Sequence, residues 1–361
     1  MKTKNMTFSR FFGVFLVFLM SGGFVNAQEY SSTQTIRRSF PVNNSTRVEV
    51  TNKYGKIHLV NWEKDSVKFV ITIKAHSDEK SDLKDLINNV NIDFTHTQYY
   101  VIAQSDFRKK QGGFFQDLLN LAESVVSSGN QTEIDYQLFL PEQIDLELNN
   151  KFGDIYIDNH LGNLQINLSN GDLKANNLAG GNTNIDISMG DAQINSITSG
   201  KVFLSYADFE VKKVNQLNID SKISKITIDK ANLLKITSKK DKFYLSEVSQ
   251  CFGESYFSDI WVQNLDTKVN LKMKYGNMNV EKIEKNFSFI DLTTDYSDLY
   301  LYFEKGASYH LDITHESANI TYPHDLADVS EELTGEDLDQ KNIFGNIGKE
   351  KSDARIMIKA K

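Results

Sequence analysis

A short phrase recurs along this chain: a small residue, a polar residue, and then two aliphatic residues separated by one position. The spacings between successive small residues are 18, 19, 17, 17, 17, 17, 18, 21 and 21. The small residues are Gly153, Gly171, Gly190, Ala207, Ser224, Asp241, Ser258, Gly276, Ser297 and Ala318. A nearly fixed period of this size predicts a stacked architecture in which each repeat packs only on its neighbours.

The aliphatic residues of one repeat alternate with polar residues, which is the pattern of a strand with one buried face. In the repeat that begins at Ser224, the pattern places Ile226 and Ile228 on one short strand and Leu234 and Ile236 on another. Asp229 and Lys230 occupy the corner at which the first strand must turn, and Ala231 is a further inward position. The sequence therefore predicts an all-β fold, a parallel β-helix or solenoid with two strands per coil. The crossover preference of parallel strands favours a right-handed winding, and the handedness stays open.

The first 27 residues have the pattern of a secretory signal peptide. Lys2, Lys4 and Arg10 precede an apolar run from Phe11 to Met20, and a small-x-small site ends at Ala27. A run of ten residues is too short to cross a hydrocarbon core of about 30 Å as a helix. We therefore expect an exported protein in the periplasm, at the outer-membrane periphery or on the cell surface, with no transmembrane span in the mature chain.

The mature chain divides into three parts by pattern. Residues 28–133 read as a β-rich portion, residues 134–323 as the regular coils, and residues 324–361 as an acidic loop followed by a closing strand at Ala354–Lys359. Because Ala, Ser or Asp replaces Gly in the later coils, we do not expect every corner to need a positive φ.

Two insertions with helical spacing interrupt the N-terminal portion. The first, Ser77–Asn89, is charged, and Ser81 is its expected N-cap. The second, Phe114–Val126, has an apolar face of about four turns that we expect to cover an open end or edge of the stack.

Net charge and cysteine content narrow the function classes. The whole chain has a formal net charge of −8, and loss of the signal leaves 37 basic against 48 acidic residues, a net charge of −11. Such a surface repels nucleic acid. The single cysteine, Cys251, aligns with inward Leu234, so no internal disulfide can form and a buried, inert thiol is expected. Pairing with another chain through Cys251 is the alternative.

Several phrases resemble a known family. They are Asn52–Ile57 before Trp62, Tyr136–Pro141, and Asn150–Ile155 at the start of the long run of coils. Together with the signal peptide, they make the chain similar to an adhesin-like domain-of-unknown-function family. Its members are secreted β-solenoid proteins of Gram-negative envelopes, related to the head-like domains of auto-transporter adhesins. The resemblance covers roughly residues 36–323 and implies an envelope location and an adhesion or scaffolding role, with no catalytic residues to transfer.

A column of carboxylates is the first candidate site. Asp154, Asp172, Asp191 and Asp208 follow the small residue in four successive coils, which would stack them about 5 Å apart on the outside. Their mutual repulsion could be relieved by a hard cation such as Ca²⁺. The alternative, which we favour, is hydrogen bonding to turn amides together with solvation. The glycine-rich calcium-binding nonapeptide is absent, and we expect no obligatory cofactor.

Outward aromatic residues form the second candidate site. Tyr156, Tyr244, Trp261 and Tyr300 lie two places after the polar residue of the phrase, and Tyr244 and Trp261 fall on adjacent coils. Flat rings on a solenoid face could stack on sugar rings or anchor a protein partner, or could simply stabilise the sheet as cross-strand neighbours. A second column, Phe257, Tyr275 and Tyr296, precedes the small residue, and we expect it to pack at the corner.

The sequence favours a non-catalytic, adhesin-like protein that binds or scaffolds an extended surface glycan or an envelope protein. The alternative is a carbohydrate-active enzyme of the parallel β-helix type, which would need clustered carboxylates with a basic or metal partner. No paired catalytic acid and base, nucleophile motif, phosphate loop or dinucleotide fingerprint can be assigned. Neither the ligand nor the oligomeric state follows from these patterns.

Overall fold

The computed structural model describes residues 30–107, 131–335 and 339–361. The predicted signal peptide and the second helical insertion lie outside these residues. Before the regular coils, the elements are β1 (Tyr30–Pro41), β2 (Arg47–Tyr54), β3 (Ile57–Asn61), β4 (Ser66–Ser77), α1 (Asp82–Asn89), β5 (Val90–His96), β6 (Tyr100–Phe107) and β7 (Gln131–Leu140).

The coils and the C-terminal part are made almost entirely of strands. These are β8 (Asp145–Phe152), β9 (Ile155–His160), β10 (Leu164–Ser169), β11 (Leu173–Leu178), β12 (Thr183–Lys222), β13 (Lys225–Lys239), β14 (Lys242–Tyr256), β15 (Asp259–Lys274), β16 (Asn277–Ile283), β17 (Phe289–Asp295), β18 (Asp298–Phe303), β19 (Tyr309–His315), β20 (Ala327–Thr334), β21 (Gln340–Ile347) and β22 (Arg355–Ala360). A short 3₁₀ turn, His324–Leu326, precedes β20.

The fold is a β-solenoid of about nine turns with two sheet faces, as the repeat predicts. Face A contains β6, β2, β8, β10, part of β12, and the second halves of β13, β14 and β15, followed by β17 and β22. Face B contains β7, β3, β9, β11, further parts of β12, and the first halves of β13, β14 and β15, followed by β16 and β18. All these neighbouring strands are parallel.

The core lies between the two faces. On face B, inward Ile226 is followed in the next coil by Phe243, and both side chains are fully buried. On face A, Leu234 is followed by Cys251, which is also buried and forms no disulfide. The cysteine thus lies where the pattern of aliphatic residues placed it. Burial raises the pKa of its thiol to about 12, which makes it a poor nucleophile.

The corner that joins face A to face B differs from the sequence expectation. Positive φ values of 51° to 61° recur at every such corner between residues 170 and 296, but at the residue before the small one. These residues are Asn170, Met189, Tyr206, Ile223, Lys240, Phe257, Tyr275 and Tyr296. The sequence did not predict a positive φ at every corner, because Ala, Ser or Asp replaces Gly in the later coils, but each of these corners has one. These replacements are tolerated because the left-handed conformation lies on the residue before the small one, also where the small residue is Gly171, Gly190 or Gly276.

Antiparallel strands elaborate the N-terminal end. β4 pairs with β1 on one side and with β7 on the other, while β5 pairs with β6. The first predicted insertion forms α1, which packs against β1 and β4. Ser81 does not cap it as expected, because Ser81 itself has helical dihedral angles and its hydroxyl donates to the Asp82 carboxylate.

The C-terminal region is more ordered than the sequence suggested. Instead of an acidic loop from residue 324 to residue 351, β20 and β21 form an antiparallel hairpin, and β21 also pairs with β19. The acidic side chains of β20 are exposed, whereas Ile343 and Ile347 of β21 are buried. The many charged residues of this region hid the alternation of buried and exposed positions in the sequence. The closing strand is present as β22, which lies between β17 and β19.

Candidate glycan-binding face

Face B aligns all four of the predicted aromatic residues in one outward column. The register of neighbouring strands places His58 beside Tyr156, Tyr244 beside Trp261, and Asn279 beside Tyr300. From β3 onward, the column contains His58, Tyr156, Lys174, Gln193, Glu210, Thr227, Tyr244, Trp261, Asn279 and Tyr300. With neighbouring strands about 4.8 Å apart, its ten members extend over about 43 Å along the solenoid axis.

A groove of about 600 Å³ occupies the N-terminal half of this column. It crosses five successive coils, and buried Ile157, Ala175 and Ile194 form its floor. Its polar lining consists of His58, Tyr156, Lys174, Gln193 and Glu210 in one row and Asp158, Asn176, Asn195 and Lys212 in the other. The groove therefore offers donors and acceptors on both sides of an axis about 19 Å long.

The second row of the groove is linked by side-chain amides. The Asn195 amide donates to the Asn176 carbonyl oxygen at 2.5 Å, and the Asn176 amide lies 3.5 Å from the Asp158 carboxylate. Such links between successive coils hold the amide groups in a fixed orientation. These side chains line the groove, and each keeps donor or acceptor positions that the links between coils do not use.

Tyr156 is held at one end of the groove. Its hydroxyl donates to Asp154 Oδ2 at 2.8 Å, and its ring meets His58 edge-on with centroids 6.2 Å apart. The hydrogen bond to Asp154, with a contribution from burial, raises the pKa of the Tyr156 hydroxyl. The phenol thus stays protonated as a hydrogen-bond donor through the neutral range.

Tyr244 and Trp261 lie two coils beyond the groove and stack on each other. Their ring centroids are 4.9 Å apart and their planes differ by 6°. Each ring therefore covers one face of its neighbour, and the pair presents its edges and its two outer faces. Tyr300 stands apart at the end of the column, 51% exposed. The four aromatic residues are collinear but belong to three separate places along face B.

The predicted carboxylate column is present beside the corner. The backbone amide of Asp172 donates to Asp154 Oδ1 at 3.0 Å, and the amide of Asp191 donates to Asp172 Oδ1 at 3.1 Å. These hydrogen bonds from backbone amides stabilise the carboxylates of Asp154 and Asp172. They are the kind of bond that the interpretation without a bound cation requires. In the part of the chain that the structure describes, no group of three or more His, Cys, Asp or Glu is arranged to hold a metal ion.

The column Phe257, Tyr275 and Tyr296 is not packed into the corner as expected. The three side chains are 47%, 36% and 69% exposed. Their rings stack in sequence, with centroids 4.8 Å and then 5.4 Å apart and planes 15° and 7° from parallel. The left-handed backbone at each of these residues directs the side chain away from the core, so the rings pack on each other rather than against the interior.

Sequence reasoning missed the polar half of the groove. It named Tyr156 but not Lys174, Gln193, Asn195 or Glu210, because single polar residues on exposed strand positions carry no distinct signal. The repeat itself contained the necessary information. Aligning the coils at the small residue places these residues in the rows that contain Tyr156 and Asp158.

Solved structures that match this chain do so at low sequence identity. A proposed adhesin of Parabacteroides distasonis ATCC 8503 is 12% identical, with 74% of this chain and 97% of that chain covered and a TM-score of 0.34. Proposed adhesins of Bacteroides fragilis NCTC 9343 and Parabacteroides merdae ATCC 43184 are 11% and 10% identical. Both matches cover 74% of this chain. The match covers 97% of the Bacteroides fragilis chain with a TM-score of 0.30, and 96% of the Parabacteroides merdae chain with a TM-score of 0.32.

No curated protein is a significant match to the chain. Within the described ranges, no helix has the length and apolar character needed to cross a membrane. The family profile described as Toastrack DUF4097 matches residues 33–356, which include both faces of the solenoid and the antiparallel strands at its two ends. This chain belongs to the Toastrack DUF4097 family.

Proposed function

We propose that the protein is a non-catalytic, adhesin-like binding protein of the cell envelope whose face B holds an extended glycan. The observation that carries this proposal is the groove across five coils, which continues in line with the Tyr244–Trp261 pair. A repeating polar row at intervals of about 4.8 Å suits a ligand that is itself extended and repetitive. Hydroxyl groups of a sugar can both donate to and accept from amide and charged side chains.

The charges of the groove support a glycan over a strongly charged polymer. Lys174 and Lys212 are balanced by Asp158 and Glu210, so the lining carries no excess of either sign. The outer faces of the Tyr244–Trp261 pair add flat apolar surface of the kind that stacks on sugar rings. A protein partner is the competing occupant of this face.

Binding without turnover is supported by the spacing of the groove carboxylates. Asp158 and Glu210 lie three coils apart, about 14 Å along the axis. The two carboxyl groups of a glycosidase are separated by about 5 to 9.5 Å. The groove carboxylates are therefore placed as recognition groups, not as an acid and base around one glycosidic bond.

A glycan array and a cell-wall pull-down with the purified chain test the proposal. We expect Lys174→Ala, Asn195→Ala and Trp261→Ala each to weaken binding at least tenfold. On face A, Lys235→Ala is the control for Lys174→Ala and Phe203→Ala is the control for Trp261→Ala, and both control side chains are exposed. Equal losses in the controls, capture of a protein alone, or no glycan binding by the wild type would each contradict the proposal.

A further inference from the structure

The corner between faces A and B carries an unusual row of large exposed side chains, which we call the corner ridge. It consists of Met189, Tyr206 and Ile223 and, beyond exposed Lys240 in the same row, Phe257, Tyr275 and Tyr296. Their exposed fractions range from 36% to 69%. Backbone amides continue the inter-coil hydrogen bonding through the corner, as from Ile223 to the Lys239 carbonyl, so the row is straight and rigid.

The backbone conformation makes these residue types costly at this position. A left-handed conformation costs about 1–2 kcal/mol for a residue with a Cβ, and it is least suited to a β-branched residue such as Ile223. Gly or Asn would adopt it with less strain, and Asn does so at position 170. Six of the eight positive-φ corner residues are nevertheless large and apolar or aromatic. Strain retained at successive exposed positions points to a role for these side chains outside the fold.

The ridge is large enough to be an interface. Six side chains of this size, about half exposed, together with Tyr256 beside Phe257, present roughly 700 Å² in two groups on either side of Lys240. The largest apolar patch of an ordinary monomer is about 300–600 Å², whereas one side of a stable protein interface is about 800 Å². Taken together, the two groups approach the area that one partner contributes to a complex.

Ring geometry argues against a sugar as the occupant of the ridge. Phe257, Tyr275 and Tyr296 cover each other's faces, so the row presents ring edges along most of its length. Sugar rings stack on free aromatic faces, as those at the ends of the Tyr244–Trp261 pair. Apolar edges in a straight row fit another apolar row, and Tyr54 and Phe152, which stack at the same corner of earlier coils, form one.

Charged residues beside the ridge determine how two such rows would align with each other. At the second position after the positive-φ residue of each corner, four successive coils carry Asp191, Asp208, Lys225 and Lys242, all exposed. Neither lysine makes an ion pair with another described residue. The sequence of two acids followed by two bases becomes complementary to itself when the direction of the second copy is reversed.

We propose that two copies of this chain associate through the corner ridge as an antiparallel, two-fold symmetric dimer. The two-fold axis passes between the coil of Tyr206 and the coil of Ile223. Tyr206 of each copy therefore contacts Ile223 of the other copy. Asp208 then faces Lys225 of the second copy, and Asp191 faces its Lys242. Because a two-fold interface repeats every contact, the dimer contains each of these pairs twice.

The parallel arrangement is disfavoured by the same charges. It would place Lys222 and Lys239, on the face A side of the corner, against Lys225 and Lys242 of the second copy. Like charges in contact at the centre of an interface oppose association. The antiparallel arrangement instead places Lys222 and Lys239 opposite Ser205 and Ser188. The groove on face B stays open in the dimer, since its rows begin two strand positions beyond the carboxylate column.

Sedimentation velocity of the chain without its predicted signal peptide tests the proposal. We expect a concentration-dependent dimer, and we expect the paired reversals Lys225→Glu with Lys242→Glu, or Asp191→Lys with Asp208→Lys, to weaken it at least tenfold. When the two reversed proteins are mixed, their opposite charges face each other, so a heterodimer should form. Tyr244→Ala on face B is the control that leaves the dimer intact.

A second variant separates the ridge from the charges. Ile223→Asn should weaken the dimer at least tenfold while the far-ultraviolet spectrum and the urea midpoint of the monomer are retained, because Asn accepts the left-handed conformation. The proposal is overturned if the wild type sediments as a monomer at every concentration, or if a dimer forms that none of these changes affects. Binding of the monomeric wild type to lipid vesicles, lost in Ile223→Asn, would assign the ridge to a membrane surface and also overturn it.

Discussion

At the scale of single residues, one side chain breaks the aliphatic pattern of the core. His160 ends β9 in a position that Leu178 and Ile197 occupy in the next two coils, and it is 1% exposed. Within the described residues, neither of its ring nitrogens has a hydrogen-bond partner of ordinary geometry. Burial lowers the pKa of the His160 imidazole below its usual value of 6.5, because the charged form loses its hydration.

This burial predicts a pH dependence of stability. The unfolded chain binds the His160 proton more readily than the folded chain does, so stability rises with pH where their protonation differs. The contribution of neutral His160 is complete above pH 6.5 and is lost as the pH falls from 6.5 towards the lowered folded pKa. We expect His160→Leu to raise the urea midpoint and to reduce its fall between pH 7 and pH 5. Exposed His310→Leu is the control, and an identical pH profile in wild type and His160→Leu would contradict the prediction.

The corner residues show how far residue-level prediction could go. The sequence revealed where each corner lies, because Gly, Ala, Ser or Asp marks it in every coil. It did not reveal that Tyr206 or Ile223 has a positive φ, because intrinsic preference places Gly or Asn in that conformation. Hydrogen bonding between coils overrides this preference, and no local pattern records it.

At the scale of strands, the stacked pair on β14 and β15 has two roles that can be separated. Tyr244 and Trp261 are cross-strand neighbours in register, and such pairs stabilise a sheet independently of any ligand. The pair is also the aromatic part of the proposed glycan site. Stability and binding therefore have to be measured on the same variants.

We expect a measurable coupling energy between Tyr244 and Trp261. In a double-mutant cycle of alanine variants followed by urea unfolding, the coupling should be about 0.5–1.5 kcal/mol, the usual value for stacked rings. The control pair is Tyr244 and Tyr300, three coils apart, which should be additive within about 0.5 kcal/mol. Additivity of Tyr244 and Trp261 as well would mean that the observed stack contributes nothing to stability.

Strand prediction succeeded where alternation was undisturbed and failed where charge masked it. The coils from β8 to β18 follow the aliphatic repeat, so their strands and their register could be read from spacing alone. The hairpin of β20 and β21 could not, because Glu331 and Glu332 and the residues around them resemble a solvated loop. The pairing of β21 with β19 is a long-range contact that only the assembled stack provides.

At the scale of the whole molecule, the two proposed surfaces are properties of the stack and not of any coil. The groove needs five coils, and the charge complementarity of the ridge needs four. Since coils contact only their immediate neighbours, the length of the stack can be changed without altering the packing within each coil. A deletion can therefore test the architecture directly.

Deleting residues 207–223 removes one complete coil of 17 residues and joins Tyr206 to Ser224. The small residue, the inward side chains and the corner all return to equivalent positions, with Ile226 replacing Phe209 above Ala192. We expect a folded protein with an unchanged far-ultraviolet ellipticity per residue, cooperative urea unfolding and a modestly lower midpoint.

The matched deletion of residues 207–214 removes the strand of one face only, so every following strand would move to the opposite face. We expect that protein to aggregate or to lose cooperative unfolding. If the protein tolerated both deletions equally, or neither of them, its coils would not be interchangeable. The alignment of side chains from successive coils in the groove and in the ridge would then have no structural basis.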